Sequence, residues 1–209
     1  MGSFLNIVFS LDQLIAAYVS LIRNPILDAI FRSLTLFGSL PMIIGVFICL
    51  AFVAWIMHQR AIWSFFAANL AVGAALAWFL KYATERARPL SGVIPVEGYS
   101  FPSLHALGAM ICYGFLGFYM YTYANTRSTR ILGIVVISIM PFIIGLSRIY
   151  LGAHWFSDVL GGWAIGALLL VGAISHVRAM HDKFLPPDKQ SSTGTNTVNS
   201  NTIESTNTP

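Results

Sequence analysis

The chain has 209 residues, of which 56% are hydrophobic and only 10% charged, with a mean hydropathy of +0.73. That balance excludes a soluble domain built around a large core and implies an integral membrane protein. The net charge of +4 is dispersed along the chain, which suits contact with anionic lipid and offers no concentrated face for nucleic acid.

Six apolar stretches fall at about 4–22, 36–57, 61–80, 104–123, 131–149 and 157–177, each near the ~20 residues that cross a bilayer. The first is the weakest, because it carries Asn6, Asp12 and Gln13, and it either spans or lies partly at the interface. From Arg23-Asn24-Pro25 to Gly38, Asp28 and Arg32 stand among apolar residues. That segment reads as an interfacial helix capping the bundle on the active-site side. Only His58-Gln59-Arg60 separates the second stretch from the third, so the two form a tight hairpin. The expected fold is therefore an all-α membrane bundle of about six transmembrane helices with an interfacial helix after the first. Five spans plus an amphipathic helix is the alternative.

Beyond the third stretch comes Lys81-Tyr-Ala-Thr-Glu-Arg-Ala-Arg88-Pro89. Lys81 and Arg88 are two helical turns apart, which would stack them on one face, and Pro89 would end the helix at Arg88. Two such cations either snorkel at a helix end or bind an anion. Phe101-Pro102-Ser103-Leu104-His105 then precedes the fourth stretch, and Pro102 to His105 would open a helix. Free N–H groups in that first turn, with the Ser103 hydroxyl, make an anion site or an ordinary helix cap. Between the fifth and sixth stretches the chain reads Ser147-Arg148, then His154, then Asp158. Ionisable residues at membrane depth are costly and usually face a polar cavity. If His154 begins a helix, Asp158 lies one turn on and can orient its ring. The pair is then a poised nucleophile or base, or a buried packing pair.

These cations, two histidines and one carboxylate all sit at helix ends on one side of the bundle. Arg and Lys gathered at a helix N-terminus suit a phosphate. The pattern K-x6-R-P, then P-S-x-H, then S-R-x5-H-x3-D resembles the type-2 phosphatidic acid phosphatase superfamily, over about residues 10–180. The resemblance implies that His154 attacks phosphorus to form a phosphohistidine, with Asp158 on the other ring nitrogen. It implies that His105 protonates the leaving oxygen and later helps activate water. Lys81, Arg88, Ser103, Arg148 and the backbone N–H of Leu104 would hold the phosphoryl oxygens, without metal or other cofactor. The family's second motif usually has glycine where this chain has Leu104. The Leu104 side chain is expected to face lipid, where an apolar residue costs little.

The implied function is hydrolysis of a lipid phosphomonoester or diphosphate, such as phosphatidic acid, phosphatidylglycerol phosphate or undecaprenyl diphosphate. A lipid phosphotransferase on the same site and a non-catalytic phospholipid-binding or transport protein remain alternatives. Arg60, Arg127, Arg130, Arg178, Lys183 and Lys189 share one side of the bundle, which the positive-inside rule makes cytoplasmic. The three motifs then face outward from a bacterial inner membrane. Gly161, Gly162 and Gly166 read as small-residue helix contacts. Residues 1–185 form the membrane domain, and the Ser-, Thr- and Asn-rich stretch 186–209 reads as a disordered tail.

Overall fold

The computed structural model describes residues 2–56 and 60–183. Among these there are seven α-helices and no strand: α1 (Gly2–Ile22), α2 (Pro25–Leu36), α3 (Leu40–Ile56), α4 (Arg60–Thr84), α5 (Leu104–Tyr123), α6 (Arg127–Tyr150) and α7 (Phe156–Lys183). The compact unit holding the site runs from Met1 to Ile174, and the chain from Ser175 forms a second unit. The link 57–59 between α3 and α4 and the polar stretch 186–209 lie outside the described residues.

Among the described residues, five helices are long and apolar enough to span a bilayer: α1, α4, α5, α6 and α7. Six is reached if α2 and α3, bent by 42° at their junction, count as one span. The sequence expectation for α2 holds as a short separate helix. Asn24 caps it, its side chain accepting the Leu27 N–H at 3.0 Å, and Pro25 occupies the first turn, where a missing N–H costs nothing. The helix is tied to the end of α6. Phe31 stacks on Tyr150 with ring centroids 4.1 Å apart, and the Tyr150 hydroxyl donates to Asp28 at 3.0 Å.

α5 is the centre of the bundle, with most of its length buried. On one side Leu107, Ile111 and Phe115 pack with Trp63 and Phe66 of α4 and Leu170 of α7. On another, α6 approaches so closely that a Cβ on Gly117 would sit 2.5 Å from the Gly133 carbonyl oxygen. Gly162 of α7 does the same against α5, where a Cβ would lie 2.7 Å from the Ser103 carbonyl oxygen. Lipid gives helices no hydrophobic reason to associate, so close backbone contact through small residues must hold them. α1 differs: its span is almost entirely exposed, and Asp12 is its buried charge.

Two helix limits differ from the sequence expectation. α4 stops at Thr84, four residues before Arg88. Glu85 takes the left-handed conformation (φ 45°) that closes a helix end, with its N–H on the Lys81 carbonyl at 3.0 Å. Lys81 and Arg88 thus belong to a helix and a loop rather than one helical face. α7 begins at Phe156, which leaves His154 in the turn before it.

Candidate active site

Residues 85–103 form a long loop, and its backbone is held by the same cations that line the site. The Lys81 ammonium donates to the Tyr99 carbonyl at 2.6 Å. Arg88 donates through Nε to the Gly98 carbonyl at 2.8 Å and through Nη1 to the Ala153 carbonyl at 2.7 Å. From the α4 end the loop is closed by Ser100, whose N–H meets the Arg86 carbonyl at 2.8 Å. At its far end Ser103 caps α5, its side chain accepting from Ala106, and the Ser103 N–H reaches the Asp158 carbonyl at 3.1 Å. The amides of Leu104 and His105 belong to the first helical turn, where intrahelical partners do not exist.

A cavity of about 360 Å³ opens beside this turn. Lys81, Arg88, Glu97, His105, Arg148 and His154 line it, so residues from α4, the loop, α5, α6 and the α6–α7 turn converge there. Apolar side chains complete the lining, among them Ile43, Leu107, and Leu70 and Ala74, which lie two to three turns along α4 from Lys81. Leu40 and Trp78 line it too and are largely exposed on the helix bundle, which marks the side toward lipid. Leu104 lines the same cavity and packs against the α4–α5–α7 core, which corrects the expectation of a bilayer-facing side chain. The α5 start is sunk between α4 and α7, so a first-turn residue there has protein rather than lipid around it. Ser103 and Asp158 are fully buried behind the wall rather than on it.

His154 is buried with its Nε2 3.3 Å from Arg88 Nη1 and its Nδ1 3.5 Å from Asp158 Oδ2. Among the described residues neither Nδ1 nor Arg148 Nε has a hydrogen-bond partner, although both are buried. Burial pushes the His154 pKa down to about 4, helped by the Arg148 and Arg88 charges and opposed by Asp158. Burial also lowers Arg88, against the pull of Asp158. Arg148 donates through Nη1 to the Thr35 hydroxyl at 2.9 Å, so α2 orients it. A neutral imidazole facing three cations is equipped to meet an anion with a lone pair.

The motif residues left out two charged neighbours. Arg86 donates to Asp158 Oδ1 at 2.6 Å and also pairs with Asp12. Arg86 sits inside the first motif's spacing, but its carboxylate partners lie far away in sequence, so no local pattern marks it.

Residues 61–181 match the sequence profile of the PAP2 superfamily. The chain belongs to the PAP2 superfamily. Among curated PAP2 proteins it is 29% identical over 168 residues to phosphatidylglycerophosphatase B of Bacillus subtilis, covering 78% of this chain and 82% of that one. It is 30% identical over 152 residues to dolichyldiphosphatase 1 of Rhinolophus ferrumequinum, covering 68% of this chain and 64% of the relative. The PAP2 fold is shared with a crystal structure of a transmembrane phosphatidylglycerolphosphate phosphatase from Bacillus subtilis, at TM-score 0.78 and 23% identity over 87% of this chain and 90% of that one. Aquifex aeolicus LpxE gives TM-score 0.59 at 20% identity, over 77% and 92% of the two chains.

Proposed function

We propose that this PAP2 protein is a lipid phosphatase that works through a phosphohistidine on His154. The observation that carries the reading is one cavity with two chemistries: a buried His154 and three cations in one lining with apolar side chains of α3, α4 and α5, including the exposed Leu40 and Trp78. A lipid phosphate suits both, with its headgroup at the cations and its chain between α3, α4 and α5. The names of the relatives, a phosphatidylglycerophosphatase and a dolichyldiphosphatase, support a lipid phosphomonoester or diphosphate as substrate.

The chemistry follows from the geometry. Lys81, Arg88 and Arg148 hold the phosphoryl oxygens together with the first-turn amides at Leu104, behind the Ser103 cap. His154 Nε2 attacks phosphorus, the P–O bond to the lipid breaks, and the leaving oxygen takes a proton from His105. Asp158 orients the ring at Nδ1. Water, deprotonated by His105, then cleaves the P–N bond and releases phosphate and free His154. The cations neutralise the charge that metal ions neutralise in other phosphoryl-transfer sites, so the reaction needs no metal. The relative from Bacillus supports a bacterial host, and the positive-inside argument from Arg60, Arg127 and Arg130 supports a site on the outer side of its cytoplasmic membrane.

The test is phosphate release from lipid phosphates and diphosphates in micelles containing a chelator. His154→Ala is expected to abolish turnover. His105→Ala is expected to slow it by about 10²–10⁴-fold on ordinary substrates and much less on substrates with a good leaving group. Acid-labile phosphohistidine should be trapped from labelled substrate in His105→Ala and not in His154→Ala. Full activity of His154→Ala refutes the mechanism, and transfer of the label to lipid alcohol rather than water makes the protein a phosphotransferase.

A further inference from the structure

Asp12 and Arg86 take no part in the three motifs, yet they are joined to the site's carboxylate in one continuous chain. Asp12, the only charged residue of α1, is 2% exposed on a helix that is otherwise mostly uncovered. Its Oδ2 accepts from Arg86 Nη2 at 2.5 Å and from the Ser157 hydroxyl at 2.6 Å, and its Oδ1 from the Ser157 backbone N–H at 2.9 Å. Arg86 Nη1 donates to Asp158 Oδ1 at 2.6 Å and to Ser157 Oγ at 2.7 Å, and the guanidinium lies 5.9 Å from the Trp155 ring centroid. The remaining Asp158 oxygen accepts the Trp155 N–H at 2.9 Å and faces His154 Nδ1. Charge alternates along the line: Asp12, Arg86, Asp158, His154.

We propose that Asp12 and Arg86 are positioning residues that fix the Asp158 carboxylate and thereby keep the His154 lone pair free for attack. The inference rests on the phosphohistidine reading above. A lone carboxylate beside a buried imidazole would draw a proton onto the ring and remove the lone pair. Arg86 balances that carboxylate and fixes its direction through a charge-assisted bond. Asp12 in turn balances Arg86, so the guanidinium does not leave the site with a surplus cation. The same contacts tie α1 to the start of α7, in a medium where polar contacts are among the few forces joining helices.

Asp158 from α7, Arg148 from α6, His105 from α5, Lys81 from α4, and Arg88 and Glu97 from the loop also face His154 or share its cavity. All of them stay constant in the test. The acid limb of kcat/KM is measured on one lipid phosphate for the full-length wild type, Arg86→Gln, Arg86→Lys and Asp12→Asn. Removing the Arg86 cation favours proton uptake by the His154–Asp158 pair, so the limb of Arg86→Gln is expected to move to higher pH. Removing the Asp12 anion disfavours it, and the limb of Asp12→Asn is expected to move lower. Each shift should be about half a unit or more, about threefold in rate at a fixed pH on the limb. Arg86→Lys keeps the charge and should leave the limb near its wild-type position while lowering kcat, because lysine cannot bridge two carboxylates with one planar fork.

Limbs that stay put in both charge-removing variants, with only overall activity reduced, overturn the proposal and leave the network a purely structural tie. An Arg86→Lys limb displaced as far as that of Arg86→Gln overturns it as well. His154→Ala is run alongside: its retained turnover refutes the phosphohistidine reading itself, whereas an inactive His154→Ala with unmoved limbs refutes this proposal alone.

Discussion

His154 carries its function in the state that burial imposes on it. With the folded pKa near 4 and an ordinary value near 6.5, the folded protein binds fewer protons than the unfolded chain. The stability contribution of this residue is therefore complete above about pH 6.5 and is lost as pH falls toward 4. Thermal unfolding in detergent at pH 7 and pH 4.5 checks this: the wild type should lose more on acidification than His154→Gln, which has no proton to gain. Leu104 is the second residue whose environment decides its effect. Its side chain lines the cavity, so Leu104→Ala removes apolar wall from the chain-binding branch rather than from a lipid-facing surface. KM for a long-chain substrate should rise about tenfold, about 1.4 kcal/mol, with kcat changed less. An unchanged KM would mean that the lipid chain does not pass Leu104.

The helices are held by contact types that substitutions can separate. At the α5–α6 crossing, Gly117 and Gly133 let the two backbones meet, and a methyl at Gly117 would push directly on the Gly133 carbonyl. Gly117→Ala is expected to lower stability by about 1–3 kcal/mol despite the better helix propensity of alanine. Gly45 in α3 has nothing within 4 Å of an added Cβ, so Gly45→Ala should be neutral or slightly stabilising. Unfolding midpoints of the two variants in one detergent test this, and equal shifts would deny the close crossing. α1 stands at the other extreme: most of it is exposed, and it joins the bundle through the Asp12 contacts and through Val19, which packs with Ile149 and Tyr150. α2, bent against α3, places Thr35 on Arg148 and so reaches the site without belonging to any motif.

For the whole molecule, the proposed outward orientation of the site end is directly testable. The site end carries Leu90, fully exposed in the 85–103 loop, and the opposite end carries Ser128, exposed in the first turn of α6. Single cysteines at these positions, read with a membrane-impermeant thiol reagent, report the orientation. Leu90→Cys should be labelled in intact spheroplasts and Ser128→Cys only after lysis, and the reverse pattern would place the site on the cytoplasmic side. Cys112 is buried, and Cys49, exposed on α3, is replaced by alanine in both variants.

The sequence by itself determined the order of the apolar helices, because a bilayer demands a minimum run of apolar residues, whereas the second run reaches spanning length only with α2, across a 42° bend. It also named Lys81, Arg88, Leu104, His105, Arg148 and His154, which line the cavity, while Ser103 and Asp158 lie behind its wall. The cations and histidines stand at the ends of such runs, and only a few ends share one side. Tertiary structure alone decided the rest. Whether Lys81 and Arg88 share a helix depended on Glu85 closing α4, which no proline or glycine announced. Leu104's direction depended on how deeply α5 starts between α4 and α7. Asp12 looked like a flaw in a weak first span, because its partner Arg86 is 74 positions away and its other contact, Ser157, 145. Periodicity reports the face of one helix; which charge answers a buried carboxylate is settled only when separate helices pack.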